Sequence, residues 1–523
     1  MLTVLGSPKK LCDGITRREM LMAGGLSMFG LGLSDYFRLQ DAQASANSLS
    51  PGPSPRGRGE KFGRAKACIL LFLYGSPSQL ELADQKPGAP VEIRGELGSI
   101  RSSLPGCDVC ELLPSVSRVM DKMTVVRSMT HPYPIHGVAY ATTGTPIIDI
   151  PMELNPRDGR HHPYIGSVVD YLMCNRHTGG RAEPRERESE VPANIALPFQ
   201  FSSHRVGEVP RAGPYGAFLG NAYNPHWTEF RGRATKVAIK TLQDQRFEDV
   251  EPYVGISNDS RFTLAAAADL GPNLTIDRLH RRRSLLEQLD QARREADVSP
   301  LSRSGTGAGG EGLDRYRDMA YSLIGSQRIH TALDLDREPL ALRESYGMTI
   351  FGQACLSARR LVEAGSKFVS VFWDEYGLAG SGWDTHWDHY GRMRNELMPG
   401  FDWALAGLID DLDQRGQLDD TLVMVLSEHG RTPRLNNARG GGRDHWSEAY
   451  TCLFAGGGVA RGRVVGRTDR HGATVTERPV SPKDVLATAY HLLGIDPHTL
   501  LNDRTGRPHP LVTGADVVRE MLE

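Results

Sequence analysis

Three short polar clusters in the C-terminal half concentrate side chains that can ligate a metal ion. The first runs Trp383-Asp384-Thr385-His386-Trp387-Asp388-His389. The second is Ser427-Glu428-His429-Gly430-Arg431-Thr432-Pro433, and the third is Gly442-Arg443-Asp444-His445-Trp446. Four of the chain's 17 histidines, His386, His389, His429 and His445, lie within 60 residues. Imidazole and carboxylate are the donors that suit zinc, manganese and related divalent ions. A single histidine is more often a surface or hydrogen-bonded core residue. Repetition across three clusters is harder to credit to composition, and it points to a shared centre. The adjacent pair His161-His162 stands apart, ahead of a helix-like segment, and is left outside it.

Each cluster borders a strand-like run. Ser366–Asp374 precedes the first, Leu422–Leu426 the second, and Tyr450–Phe454 follows the third. In open α/β sheets functional groups collect at the carboxyl ends of strands, and Glu428 and His429 stand at such an end. Ala67–Gly75 is a continuous apolar run closed by a glycine, as suits a strand covered on both faces, and Met123–Met129 is a second strand candidate. Helical spacing appears in Phe351–Gly365, through Cys355, Ala358, Leu361 and Val362, and in Met398–Gly416, through Phe401, Leu405, Leu408, Ile409 and Leu412. Ser481 followed by Asp484 resembles a capping box that opens a third helix. This alternation predicts an α/β fold with a mainly parallel sheet. Asn175–Asn194 and Asp297–Gly312 read as loops, with Thr275–Ala296 helical between them, so that about 175–330 forms a loop and helical insertion. Ala455–Gly462 reads as a glycine turn leading to a strand, which lacks the helix that a dinucleotide site requires.

The chain ends are of a different character. Arg17-Arg18 precede an uncharged stretch from Met20 to Leu33, and small residues follow at Ala42-Gln43-Ala44 and Ala44-Ser45-Ala46. That stretch is too short to span about 30 Å of hydrocarbon, and the pattern reads as an export signal over residues 1–46. The paired arginines predict engagement of the twin-arginine export machinery and a periplasmic or extracellular destination. Residues 47–63 are rich in Pro, Gly and Ser and form a linker, leaving 64–523 as a single domain. The 61 basic and 63 acidic residues of the 523 nearly cancel, so no global field favours nucleic acid or an anionic membrane. Cys107 and Cys110 are spaced for a local disulfide in an oxidising compartment. Cys68 and Cys452 lie in strand-like runs and read as buried small hydrophobes.

Several stretches together carry a family resemblance, in order along the mature chain: Cys68–Glu96, Thr124–Thr145, Gly382–His386, Glu428–Pro433, Gly442–Trp446 and Ala455–Gly472. They resemble the DUF1501 family of exported sulfatase-like proteins, placed in the alkaline phosphatase superfamily. The resemblance implies an alkaline-phosphatase-like sheet sandwiched by helices, and a divalent metal cofactor (zinc, manganese or calcium). It implies that Asp384, His386 and His445 hold one ion, and that Glu428 and His429 contribute to a second. Asp444 can instead orient an imidazole, and Asp388 with His389 reads as the solvated start of a helix. Arg431 and Arg443, beside these ligands, are expected to bind a sulfate or phosphate oxygen. Two departures stand out. No cysteine precedes Thr143-Gly144, so formylglycine chemistry is not expected. Of Thr130, His131 and His136, His136 is the expected catalytic or ligating group. The first strand also ends without the aspartate of the superfamily, so Gln79, Glu81 or Asp84 would have to serve. The implied activity is hydrolysis of a small-molecule or carbohydrate ester outside the cytoplasm. The alternative is an exported, non-catalytic binding or scaffold protein on the same fold.

Overall fold

A computed structural model describes residues 61–522, apart from 135, 146–151, 153, 154, 157–159, 176–190, 202–212, 243, 244, 265–325, 375–381 and 504. The expected export signal, most of the expected linker and the expected helix at 275–296 lie outside the described residues.

Each long apolar run is a central strand. We label the strands β1 (Ala67–Leu73), β2 (Met123–Met129), β3 (Asn194–Leu197), β4 (His226–Arg231), β5 (Arg261–Leu264), β6 (Phe368–Trp373), β7 (Thr421–Leu426), β8 (Tyr450–Ala455) and β9 (Arg463–Val465). They form one sheet in the order β9-β2-β8-β7-β1-β6-β3-β4-β5. From β7 through β1, β6 and β3 to β4 every pairing is parallel. β8 runs antiparallel to both β7 and β2.

The unbroken apolar runs have a direct cause: both faces of the sheet are covered. On β1, Ile69, Leu71 and Leu73 join one core cluster, while Cys68, Leu70 and Phe72 join the other. Helices α3 (Ile350–Glu363) and α4 (Met398–Gln414) fill the first side through Leu361, Leu405, Leu408 and Leu412. Helices α1 (Val138–Thr143), α2 (Ile165–Asn175) and α5 (Pro482–Leu492) fill the second through Val138, Ile165, Val169 and Leu486. The result is a three-layer α/β/α sandwich. None of the described helices is long and apolar enough to cross a membrane.

The described part of the expected insertion differs from a loop and helical segment. It holds β3, β4 and β5, which extend the main sheet, and a separate hairpin of Val237–Leu242 with Gln245–Val250. β3 is fully buried but only four residues long, and β4 and β5 mix charged with apolar residues toward the edge, so the signal of a long doubly buried strand is missing. Cys107 and Cys110 are buried free thiols rather than a disulfide, and Arg127 Nη2 donates to Cys107 Sγ at 3.2 Å.

This topology decides where the polar clusters fall. His136 follows β2, Gly75 follows β1, Asp384 follows β6 and Glu428 follows β7, all leaving carboxyl ends. The third cluster precedes its strand, but β8 is antiparallel, so its beginning lies at the same edge of the sheet (Val425 pairs with Leu453, and Tyr450 with Met129).

Helix α5 opens with the capping box expected from sequence. Ser481 accepts from the Asp484 amide, and Asp484 Oδ2 accepts from the Ser481 amide at 2.9 Å. Ser481→Ala removes one of these caps and is expected to cost roughly 1 kcal/mol, read as a lower urea midpoint with an unchanged m-value.

Candidate metal centre

Three ligand atoms meet at the rim of the sheet. His386 Nε2 lies 3.0 Å from Asp384 Oδ1 and 3.1 Å from His445 Nε2, and His445 Nε2 lies 3.2 Å from Asp384 Oδ1. A tetrahedral ion with bonds of about 2.0–2.1 Å has ligand-to-ligand edges of roughly 3.3 Å. The triangle therefore has the size of one face of such a site. His136, His429 and His445 make a second group that shares His445, with the His429 and His445 rings 4.5 Å apart. These are the two ligand groups of this density among the described residues.

Hydrogen bonding at the outer nitrogens leaves the inner ones available. His386 Nδ1 faces Asp444 Oδ1 at 2.6 Å, and Asn436 Nδ2 donates to the same carboxylate oxygen. A carboxylate behind an imidazole fixes the ring and its tautomer. His429 Nδ1 donates to the Gly430 carbonyl at 2.8 Å, which leaves Nε2 as a lone pair that is buried and without a hydrogen-bond partner. Glu428 Oε2 is likewise buried and unpartnered. Burial, reinforced by Arg431 and His445, holds the His429 imidazole well below its usual pKa, so it is neutral. Burial also lowers His445. Buried acceptors without donors are costly unless something electropositive meets them, and the donor set fits a divalent ion.

His136 lies between two carboxylates, with Nε2 3.3 Å from Asp384 Oδ2 and Nδ1 3.0 Å from Glu428 Oε1. Burial alone would lower its pKa, but the two carboxylates outweigh it and raise the imidazole to about 9. Burial would raise the Asp384 carboxyl, yet Arg431 and His136 hold it well below the usual carboxylate range.

The two arginines do not face outward as expected. Arg431 is fully buried; its guanidinium donates to Asp384 Oδ1 at 2.5 Å and to the carbonyls of Gly75, Ser76 and Arg443. Arg443 is also fully buried, donating to Glu81 Oε1 at 2.6 Å and to the carbonyls of Thr432, Pro433 and Ile93. Neither retains a free edge for a substrate oxygen; both knit the loops together. His389 is not solvated either. It is fully buried, with Nδ1 2.7 Å from Thr385 Oγ1 and Nε2 3.6 Å from Glu81 Oε2. Of the substitutes considered for the missing first-strand aspartate, Gln79 holds the backbone of Arg431 and Gly472, Glu81 pairs with Arg443, and Asp84 pairs with Lys86. None joins the ligand groups.

Two further residues position the centre. His131, held neutral by burial at about 4, faces the Glu428 carbonyl through Nε2 at 2.8 Å and accepts the Tyr133 amide on Nδ1. It links the loop of His136 to the end of β7. Gly75 donates its amide to Glu428 Oε1 at 2.7 Å from a backbone φ of +92°. A Cβ there would lie 2.4 Å from the Asp384 amide nitrogen. The sequence signal for Gly75 was the glycine closing the first apolar run; His131, considered beside Thr130 and His136 as a reactive group, instead holds backbone.

An α/β sandwich with a histidine and carboxylate cluster at its strand ends is the class so defined. The model for "Protein of unknown function (DUF1501)" matches residues 65–522, and the chain belongs to that family. No curated protein sequence matches it. Among solved structures, a sulfatase from Pseudoalteromonas sp. is 12% identical, with 83% of this chain and 68% of that one covered at a TM-score of 0.32. A phosphonate monoester hydrolase from Silicibacter pomeroyi is 14% identical, with 88% and 76% covered at a TM-score of 0.34. At these values the likenesses carry no assignment of activity.

Two variants test the scaffold. Gly75→Ala, which must displace the Asp384 backbone, is expected to weaken divalent-metal binding at least tenfold, measured by isothermal titration. Arg443→Met leaves the buried Glu81 carboxylate without its arginine, and is expected to cost about 3–5 kcal/mol at neutral pH in urea unfolding. Burial would raise the Glu81 pKa, but Arg443 and His389 hold it down to about 2, against 4.5 when free. The stabilisation is therefore complete above pH 4.5 and declines as pH falls toward 2. The deficit of Arg443→Met relative to the unaltered protein should accordingly shrink between pH 7 and pH 3.

Proposed function

We propose that the protein is an exported, metal-dependent hydrolase of sulfate or phosphate esters. The observation that carries this reading is the triangle of Asp384 Oδ1, His386 Nε2 and His445 Nε2, three acceptors 3.0–3.2 Å apart. Two imidazoles and one carboxylate suit zinc or a neighbouring transition ion better than calcium, which prefers all-oxygen shells. The ester class comes from the motif resemblance, and export from the paired arginines of the N-terminal segment.

A bound ion would supply Lewis-acid polarisation of the ester oxygens. The chain's own groups do the rest. Asp444 and Asn436 hold the His386 ring, whose side chain is 28% exposed and so reaches the solvent-facing rim. His136 carries a proton between Asp384 and Glu428, and is placed to deliver it to a leaving oxygen as general acid. Glu428, fixed by the Gly75 amide, keeps that imidazole oriented. The loop of His136 leads into the short helix α1.

Purified protein is expected to retain a transition metal and to hydrolyse an aryl sulfate or aryl phosphate, with turnover abolished by chelator and restored by metal. Asp444→Asn, which removes only the charge behind His386, should weaken metal binding about 10–100-fold without a change in fold by circular dichroism. A well-folded protein that takes up no metal under any loading condition would sink this reading. Metal without turnover on either ester would leave the binding-protein alternative standing.

A further inference from the structure

A buried ring of contacts ties two ligand-bearing loops together without using the ligands themselves. Thr385 stands between Asp384 and His386, and its Oγ1 lies 2.7 Å from His389 Nδ1. His389 Nε2 points at Glu81 Oε2, 3.6 Å away. Glu81 Oε1 accepts from Arg443 Nε at 3.1 Å and from Arg443 Nη2 at 2.6 Å. The Arg443 amide then donates to the Thr385 carbonyl at 3.0 Å, which closes the ring. All four residues are enclosed, none more than 1% exposed.

One of the two loops carries Asp384 and His386 on either side of Thr385, and the other carries His445 two residues after Arg443. His389 adds a further tie, since its amide donates to the Gly441 carbonyl at 3.1 Å. Burial lowers the His389 pKa, so the ring is neutral and carries one proton. A carboxylate opposite Nε2 draws that proton to Nε2, which leaves Nδ1 to accept from the Thr385 hydroxyl. The gap to Glu81 is too long for a hydrogen bond, and neither Nε2 nor Glu81 Oε2 has a hydrogen-bond partner. Charge attraction acts across it instead, and it is strong where water is excluded. The triangle of Asp384, His386 and His445 has edges of 3.0–3.2 Å. Ligands at that spacing must be held to within about 0.5 Å to serve an ion.

We propose that His389 is a positioning residue of the metal centre: by holding the Thr385 hydroxyl, it sets the spacing between the loop of Asp384 and His386 and the loop of His445. This rests on the metal-binding reading above and adds the groups that keep the ligand triangle at its size. His389 belongs to neither ligand group and acts through Thr385.

The test is Zn2+ binding by the metal-stripped full chain, read by isothermal titration. Thr385→Val removes the hydroxyl at nearly constant shape and is expected to weaken zinc binding about 10–100-fold, while Thr385→Ser keeps the hydroxyl and stays within about threefold of the unaltered protein. His389→Gln, which takes away the acceptor at Nδ1, is expected to match Thr385→Val. A role confined to packing would lower the urea midpoint of these variants and leave their zinc affinity unchanged, and that result would overturn the proposal. A second readout needs no metal. Amide hydrogen exchange in the metal-free protein is expected to quicken at residues 384–387 and 443–446 in Thr385→Val and not in Thr385→Ser. Unchanged exchange there in a folded Thr385→Val would equally overturn the proposal. If the unaltered protein takes up no zinc, the metal reading fails, and the exchange alone decides whether Thr385 and His389 hold the two loops. Should Thr385→Val not fold, His389→Gln is measured in both ways against the same expectations.

Discussion

The buried contact between Arg431 and Asp384 is the interaction on which the rest of the centre depends. It joins the loop after β6 to the loop after β7, and through the Gly75 and Ser76 carbonyls it also grips the end of β1. An arginine removed from water is tolerable only if its donors are nearly all engaged. Here they are, by one carboxylate and three backbone carbonyls drawn from three segments of the chain. That requirement makes the pair a constraint on loop position as well as a source of attraction. Asp384 cannot shift without stranding a charge, so the ligand triangle inherits its geometry from the pair.

A second buried pair, Arg443 with Glu81, works one layer further back. It anchors the loop that carries Asp444 and His445 against the segment after β1. Between the two pairs lie the glycines that permit such close approach, above all Gly75, where any side chain would meet the Asp384 backbone. The centre is thus supported by charges with no water around them and by a point where the backbone of one loop nearly touches another. Solvent reaches the ligands from the side of His386 and His445, whose side chains are 28% and 22% exposed. His429 lies completely buried behind them.

Much of the fold was legible because burial on both faces of a sheet leaves an unmistakable pattern. The runs at Ala67, Phe368, Thr421 and Tyr450 are almost wholly apolar, that at Met123 is more mixed, and each is a central strand. The edge strands near His226 and Arg261 carry charge and expose part of their surface, and so no comparable pattern announced them. For the centre, residue type identified Asp384, His386, Glu428, His429, His445 and His136 as candidates. The same reasoning assigned Arg431 and Arg443 to the substrate because they adjoin the ligands. Adjacency in sequence does not say which way a side chain points, and both turn inward. His389 was misjudged for the same reason: a polar residue beside a helix start is usually wet, but this one is enclosed by Thr385 and Glu81.

By itself the sequence determined the layer architecture, the helices and central strands, and the inventory of metal-binding side chains, since these follow from local periodicity and chemical type. Only the tertiary structure decided which of those side chains meet, which charges are buried and which are wet. It takes the antiparallel entry of β8 to bring His445 to the edge where β6 and β7 end, and the ladder between Arg431 and His445 to set a cation beside the ligands. Those are contacts between residues far apart along the chain. Nothing in local sequence encodes them, because they depend on strand direction and on which neighbours remain to satisfy a buried charge.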